Sequence, residues 1–136
     1  MATVEVTFTP LPAHVRTARL IATAVARRSG VDESLLDEVR LAVGEACSRA
    51  VEAHRMHCPQ QPIRVALTGD GERFEVVVTD EAPAVEPVPA GDSGPASDTA
   101  IDGLAVIAGL ADDVRIGSAG PGTSITMSWK QRVPPA

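Results

Sequence analysis

Aromatic residues are nearly missing: two Phe, one Trp and no Tyr among 136 residues. Surfaces that stack on bases or sugars are built from aromatic platforms, so this scarcity argues against one. A basic excess is missing too. The net charge of -6 leaves nothing to offset phosphate repulsion, which disfavours direct nucleic-acid binding. An acidic chain suits a basic protein partner, although most acidic surfaces simply aid solubility. No apolar run reaches the roughly 18 residues that cross a bilayer, so no membrane association is expected. The opening Met1-Ala2-Thr3-Val4-Glu5-Val6 has no basic stretch followed by an apolar one, the mark of a signal peptide. The two cysteines, Cys47 and Cys58, form no Cys-x-x-Cys pair. Reduced thiols in a cytoplasm fit that usage best.

What is present is a globular composition, 44% hydrophobic, built from Val, Leu, Ile and Ala. The length suits one domain over residues 1–136 with a single core. Val4, Val6 and Phe8 alternate as in a strand that ends at Pro10. From Pro12 to Arg28, Val15, Ala18, Ile21, Ala22 and Val25 recur at helical steps. Gly30 stops that helix, and Asp32 is placed to cap the next. Leu36, Val39, Val43, Cys47, Ala50 and His54 mark a second helix of about six turns. Two alternating runs, Ile63 to Leu67 and Phe74 to Val78, flank Gly69-Asp70-Gly71 and read as a β-hairpin.

After Asp80 the composition shifts. Residues 81–97 are rich in Pro, Ala, Gly, Glu and Ser, which reads as a long loop or a lid. A third helix is expected from Thr99 to Leu110. Val114 and Ile116 suggest a strand, Gly117 to Gly122 a turn, and Ile125, Met127 and Trp129 a last strand. Residues 131–136 form a fraying tail. The order β-α-α-β-β-loop-α-β-β predicts a two-layer α/β sandwich. Its sheet is mixed but mostly antiparallel, with the three helices covering one face.

Three motifs carry candidate chemistry, and a fourth match, at the last strand, is mainly structural. The second helix holds Glu45-Ala46-Cys47-Ser48-Arg49-Ala50. Asp80-Glu81-Ala82-Pro83-Ala84 follows a strand. Ile101-Asp102-Gly103-Leu104 opens the third helix, and Gly122-Thr123 opens the last strand. Order and motifs together resemble the histidine-kinase-like (GHKL) ATPases, and among them the small bacterial anti-sigma factors that are also serine kinases. Family members show Glu-Ala-x-x-Asn-Ala in the second helix. The resemblance implies that Glu45 is the vestige of a general base, and that Arg49 stands where an asparagine holds the Mg²⁺ that bridges the ATP phosphates. A cation does not ligate Mg²⁺. The plainer alternative is an i,i+4 ion pair between Glu45 and Arg49; a third reading has Arg49 touching phosphates in the metal's place.

By the same resemblance Asp80 matches the aspartate that binds the adenine amino group, but the glycines that follow it in the family are Ala82 and Ala84. The alternative for Asp80 is a strand-end turn residue. Gly103 matches one glycine of the phosphate-binding loop, with Asp102 beside it, and a helix-packing role is the alternative. The family's first helix carries a docking arginine after a small residue; Ala18-Arg19 matches it, and Arg16 lies on the same side. A solvated surface arginine is the alternative. The family's histidine falls on Ala53, one step from His54. The run His54-Arg55-Met56-His57-Cys58 lacks a fourth converging group, so no metal site is expected and a loop after a helix is the plainer account.

The resemblance thus implies a transcription regulator of the partner-switching type. It would bind a sigma factor, a STAS-domain antagonist, or both, and form a homodimer, with ATP binding weakened or lost. The alternatives are an active ATP-dependent serine kinase acting on the antagonist, or a nucleotide-gated binder without phosphotransfer.

Overall fold

The computed structural model describes residues 2–83 and 104–130. The expected loop beyond residue 83, the start of the third helix with Gly103, and the tail at 131–136 lie outside the described residues. The order is β1 (Ala2–Phe8), α1 (Pro12–Ser29), a 3-10 turn (Glu33–Leu35), α2 (Leu36–His57), β2 (Ile63–Gly69), β3 (Arg73–Thr79), α3 (104–110), β4 (Asp113–Ala119) and β5 (Gly122–Lys130).

Local chemistry sets the helix ends. Pro12 opens α1, where its missing N–H is no loss. Gly30 ends it with φ 93°, the left-handed conformation that glycine adopts freely. Asp32 accepts a bond from the Ser34 N–H at 3.0 Å and caps the 3-10 turn that leads into α2. Small residues are buried on both helices: Ala18, Ala22 and Ala26 on α1, and Ala42, Ala46 and Ala50 on α2. Short side chains let the helix backbones approach closely and leave the bulk of the core to the sheet.

The sheet runs β1-β2-β3-β5-β4, and every ladder among the described residues is antiparallel, so no parallel pair mixes into it. Alternate residues face the helices. Val65, Val78 and Ile125 fall on one line across the strands, as do Leu67, Val76 and Met127 on the next. Phe74 lies opposite Trp129, their ring centroids 6.1 Å apart. The Trp129 indole N–H donates to the Leu110 carbonyl at 2.9 Å, which ties the end of α3 to β5.

Two boundaries differ from expectation. β4 continues through Gly117 and Ser118 to Ala119, and the turn is only Gly120-Pro121. β4 is an edge strand, where glycine is tolerated because one side makes no ladder. α2 extends through His57, so His54 to His57 belong to the helix and not to a loop. The Cys58 N–H closes its last turn on the His54 carbonyl at 2.8 Å.

Candidate functional site

With about 3.6 residues per turn, α2 presents two flanks on either side of its buried stripe. Gly44, Ser48, Val51 and Arg55 turn toward α1. Glu45, Arg49 and Ala53 turn away from it. The residues singled out on the two helices therefore fall into two places, not one.

On the α1 side, Arg19 lies across Gly44, and a Cβ built there would collide with the guanidinium Nε and come within 3.1 Å of Cδ. The glycine provides the space that seats the arginine. Between the N-terminal half of α1 and the C-terminal half of α2 runs a groove of about 690 Å³. Arg16, Arg19 and Arg55 line it with Ser48, Glu52 and Met56. Three arginines against one glutamate make it a cationic patch on an acidic chain. An apolar side chain in its lining, Met56, is 72% exposed. Arg19 also lies close enough to lower the Cys47 thiol slightly, but burial dominates and pushes that thiol up to about 12.

On the opposite flank Glu45 and Arg49 make no ion pair with each other. The i,i+4 pair is not formed. Arg49 Nη1 is buried with no hydrogen-bond partner, the one such side-chain atom among the described residues. Glu45 is half-buried.

Asp80 ends β3 as a hub of backbone bonds. Its Oδ1 accepts from the Ala82 N–H at 3.1 Å and from the Thr123 N–H at 3.3 Å. Its own N–H donates to the Thr123 carbonyl at 3.0 Å. Gly122 is required beside it, because a Cβ there would overlap the Asp80 carbonyl. The turn-residue role is thus realised, and Ala82 is buried within the turn. His54 holds the same turn from α2. Its Nδ1–H donates to the Gln61 carbonyl at 2.9 Å and its Nε2 accepts from the Glu81 N–H at 2.8 Å. That pair of partners selects the Nδ1–H tautomer. Burial, then Asp80 and Glu81, raises the Cys58 thiol nearby.

A model of the histidine kinase-like ATPase domain matches residues 8–129. The chain belongs to that family. No curated protein matches the sequence. Among solved structures, the crystal structure of the RsbU and RsbW domains of Rv1364c from Mycobacterium tuberculosis is similar, with TM-score 0.69 and 19% identity. The match covers 95% of this chain and 32% of that one, so the chain spans about a third of its neighbour. At that identity the likeness is one of fold.

The histidine kinase-like ATPase domain implies ATP, and its fit can be judged from these residues. Among the described residues no three His, Cys, Asp or Glu side chains converge as a site built wholly from protein ligands would need. The guanidinium of Arg49 repels a cation, and its unpartnered Nη1 suits an anion. Oδ1 of Asp80 is already taken by two amides. These residues do not suit a divalent ion bridging phosphates in the family's manner. Arg16 and Arg19 come together on one groove; Glu45 and Arg49 share the other flank; Gly103 lies outside the described residues.

Several residues escaped the sequence reading. Gly44, Glu52, Arg55 and Met56 complete the groove, and the His54–Gln61–Glu81 contacts pin the Asp80 turn. Gly44 carried a legible signal: a glycine inside a helix costs about 1 kcal/mol, which points to a close approach.

Proposed function

We propose that this domain is an anti-sigma-type regulator that holds a sigma factor, or a STAS-domain antagonist, in the groove between α1 and α2. Phosphotransfer that depends on Mg²⁺ is lost or weak. The observation that carries the reading is Arg19, an exposed residue whose guanidinium is seated on Gly44, in a cationic groove with Arg16 and Arg55. Arginines held in place beforehand make strong interface anchors, since less side-chain entropy is lost on docking. Exposed Met56 supplies apolar area in the groove for such an interface to bury. Membership of the histidine kinase-like ATPase family, and a structural neighbour whose chain carries an RsbW domain, support the regulator class. The groove's charge favours an acidic partner segment. The expected setting is a cytoplasm. No helix among the described residues is long and apolar enough to cross a membrane.

A serine-kinase reading draws on Glu45, which is half-buried and makes no ion pair. Arg49 on the same flank weighs against it.

The test is binding of purified sigma factors and STAS proteins to wild type, Arg19→Ala and Arg19→Glu. Arg19→Ala is expected to weaken capture by about tenfold and Arg19→Glu to abolish it, since a tenfold change is about 1.4 kcal/mol. Unchanged capture by Arg19→Glu refutes the groove as the docking site.

A further inference from the structure

We propose that His54 is a proton-operated latch: its neutral ring ties the turn after Asp80 to α2, and its doubly protonated ring releases Glu81. The ring is fully buried. Its Nδ1–H donates to the Gln61 carbonyl at 2.9 Å, and its Nε2 accepts from the Glu81 N–H at 2.8 Å. Only the neutral imidazole fills both roles, because the imidazolium donates from both nitrogens. A second proton, on Nε2, would point at the Glu81 N–H, two donors with no acceptor between them. Burial denies the ring a substitute partner from solvent. The closed turn has no place for that proton and the open turn does. Opening therefore takes up one proton, and acid drives it.

The surrounding bonds make the release local. Asp80 keeps its own ties: its Oδ1 accepts from the Ala82 and Thr123 N–H groups, and its N–H donates to the Thr123 carbonyl. None of these involves His54, so Glu81 can part from α2 while Asp80 stays on β5. The bond to Gln61 also survives, since protonation leaves the Nδ1–H in place. The turn brings Asp80 and Glu81 toward the ring, and the end of α2 brings Cys58, whose thiol feels both carboxylates. Gln61's loop, residues 58–62, adds no charge, nor do Gly122 to Ser124 of β5. Arg64 on β2 and Glu75 on β3 fall in the register that faces away from the helices. On α1, His14 is held by the Thr9 carbonyl, and Arg16 and Arg19 line the groove. Along α2 itself Arg55 and His57 are exposed and Arg49 lies on the flank. Arg55 and Met56, the next residues after His54, line the groove, so the latch fastens to the Asp80 turn the same stretch of helix that forms the groove's wall.

NMR of the full chain from about pH 8 to about pH 5, the span over which imidazole changes charge, tests it. The Glu81 amide is expected to shift with the midpoint of the His54 ring signals, and its exchange protection to fall at least roughly tenfold across the span. The Asp80 and Thr123 amides are expected to hold their positions. His54→Gln supplies a side-chain oxygen that can accept from Glu81 and does not titrate, so the step disappears there, whereas His57→Gln keeps it. A ring that stays neutral until the whole domain unfolds, a Glu81 amide indifferent to the ring, or a step that survives in His54→Gln overturns the latch. So does loss of Asp80 and Thr123 protection in the same step, which makes the event a general loosening. The wild-type titration decides by itself if His54→Gln fails to fold.

Discussion

Arg49 and His54 stand on the same helix and show opposite solutions for a polar group placed indoors. Both nitrogens of His54 are satisfied, one by the Gln61 carbonyl and one by the Glu81 N–H. Arg49 is left with an unpaired nitrogen. His54→Ala is expected to destabilise the domain by roughly 2–5 kcal/mol, through a cavity and two orphaned backbone groups. Urea unfolding measures it, and a loss below about 1 kcal/mol contradicts the pin, since that is the worth of one ordinary hydrogen bond. The two thiols should separate chemically. Cys47 is buried and its thiol is pushed up from 9.0 to about 12. Below 9.0 the thiol is neutral whether folded or not. As pH rises from 9.0 toward 12 the unfolded chain ionises first, so stability falls across that window. Denaturant midpoints over that range should fall less steeply in Cys47→Ala. Native labelling should modify Cys58 and spare Cys47; labelling of Cys47 in the folded state contradicts its burial.

At the scale of elements, the β2–β3 hairpin has its own acid limit. The Asp70 carboxylate accepts from the Arg73 N–H at 2.7 Å and the Glu72 N–H at 2.8 Å, which hold it below its ordinary 3.8. Its contribution is present above 3.8 and is lost as pH falls through the lowered value. An NMR titration should show Asp70 titrating below 3.8, with the Glu72 and Arg73 amides shifting in step; titration at or above that value contradicts the turn. These elements were readable because period and punctuation agree: alternation in β2 and β3, a helical stripe in α1, Gly30 and Asp32 between the helices. The β4–β5 turn was misplaced because Gly117 looks like punctuation, whereas an edge strand tolerates it. The His54 contacts were unreadable, because Gln61 and Glu81 meet it only after β2 and β3 have returned the chain to the end of α2. Glu45, Arg49 and Asp80 were legible as residue types, yet their partners were not. Whether Arg49 pairs with Glu45 depends on rotamer and neighbours, and spacing alone favours the pair. The Arg19 seat needed Gly44 from another helix, although a glycine inside a long helix is itself a hint.

Taken whole, the molecule is an acidic chain with a cationic groove on its helical layer and, among the described residues, a buried guanidinium nitrogen without a partner on the far flank of α2. Against a net charge of -6 the groove carries a local positive excess, so it favours approach by an acidic segment, and that attraction weakens as salt screens it. The fold of the histidine kinase-like ATPase family is retained, while the guanidinium of Arg49 disfavours a cation beside it. The account therefore separates partner binding from phosphotransfer. The most direct measurement is the affinity of the captured sigma factor for this domain with and without Mg-ATP, followed by phosphosite mapping of a STAS partner incubated with both. The account predicts equal affinity in the two conditions and no phosphoserine. A severalfold rise in affinity that requires Mg-ATP, or a phosphorylated STAS serine that disappears in Glu45→Gln, would contradict it.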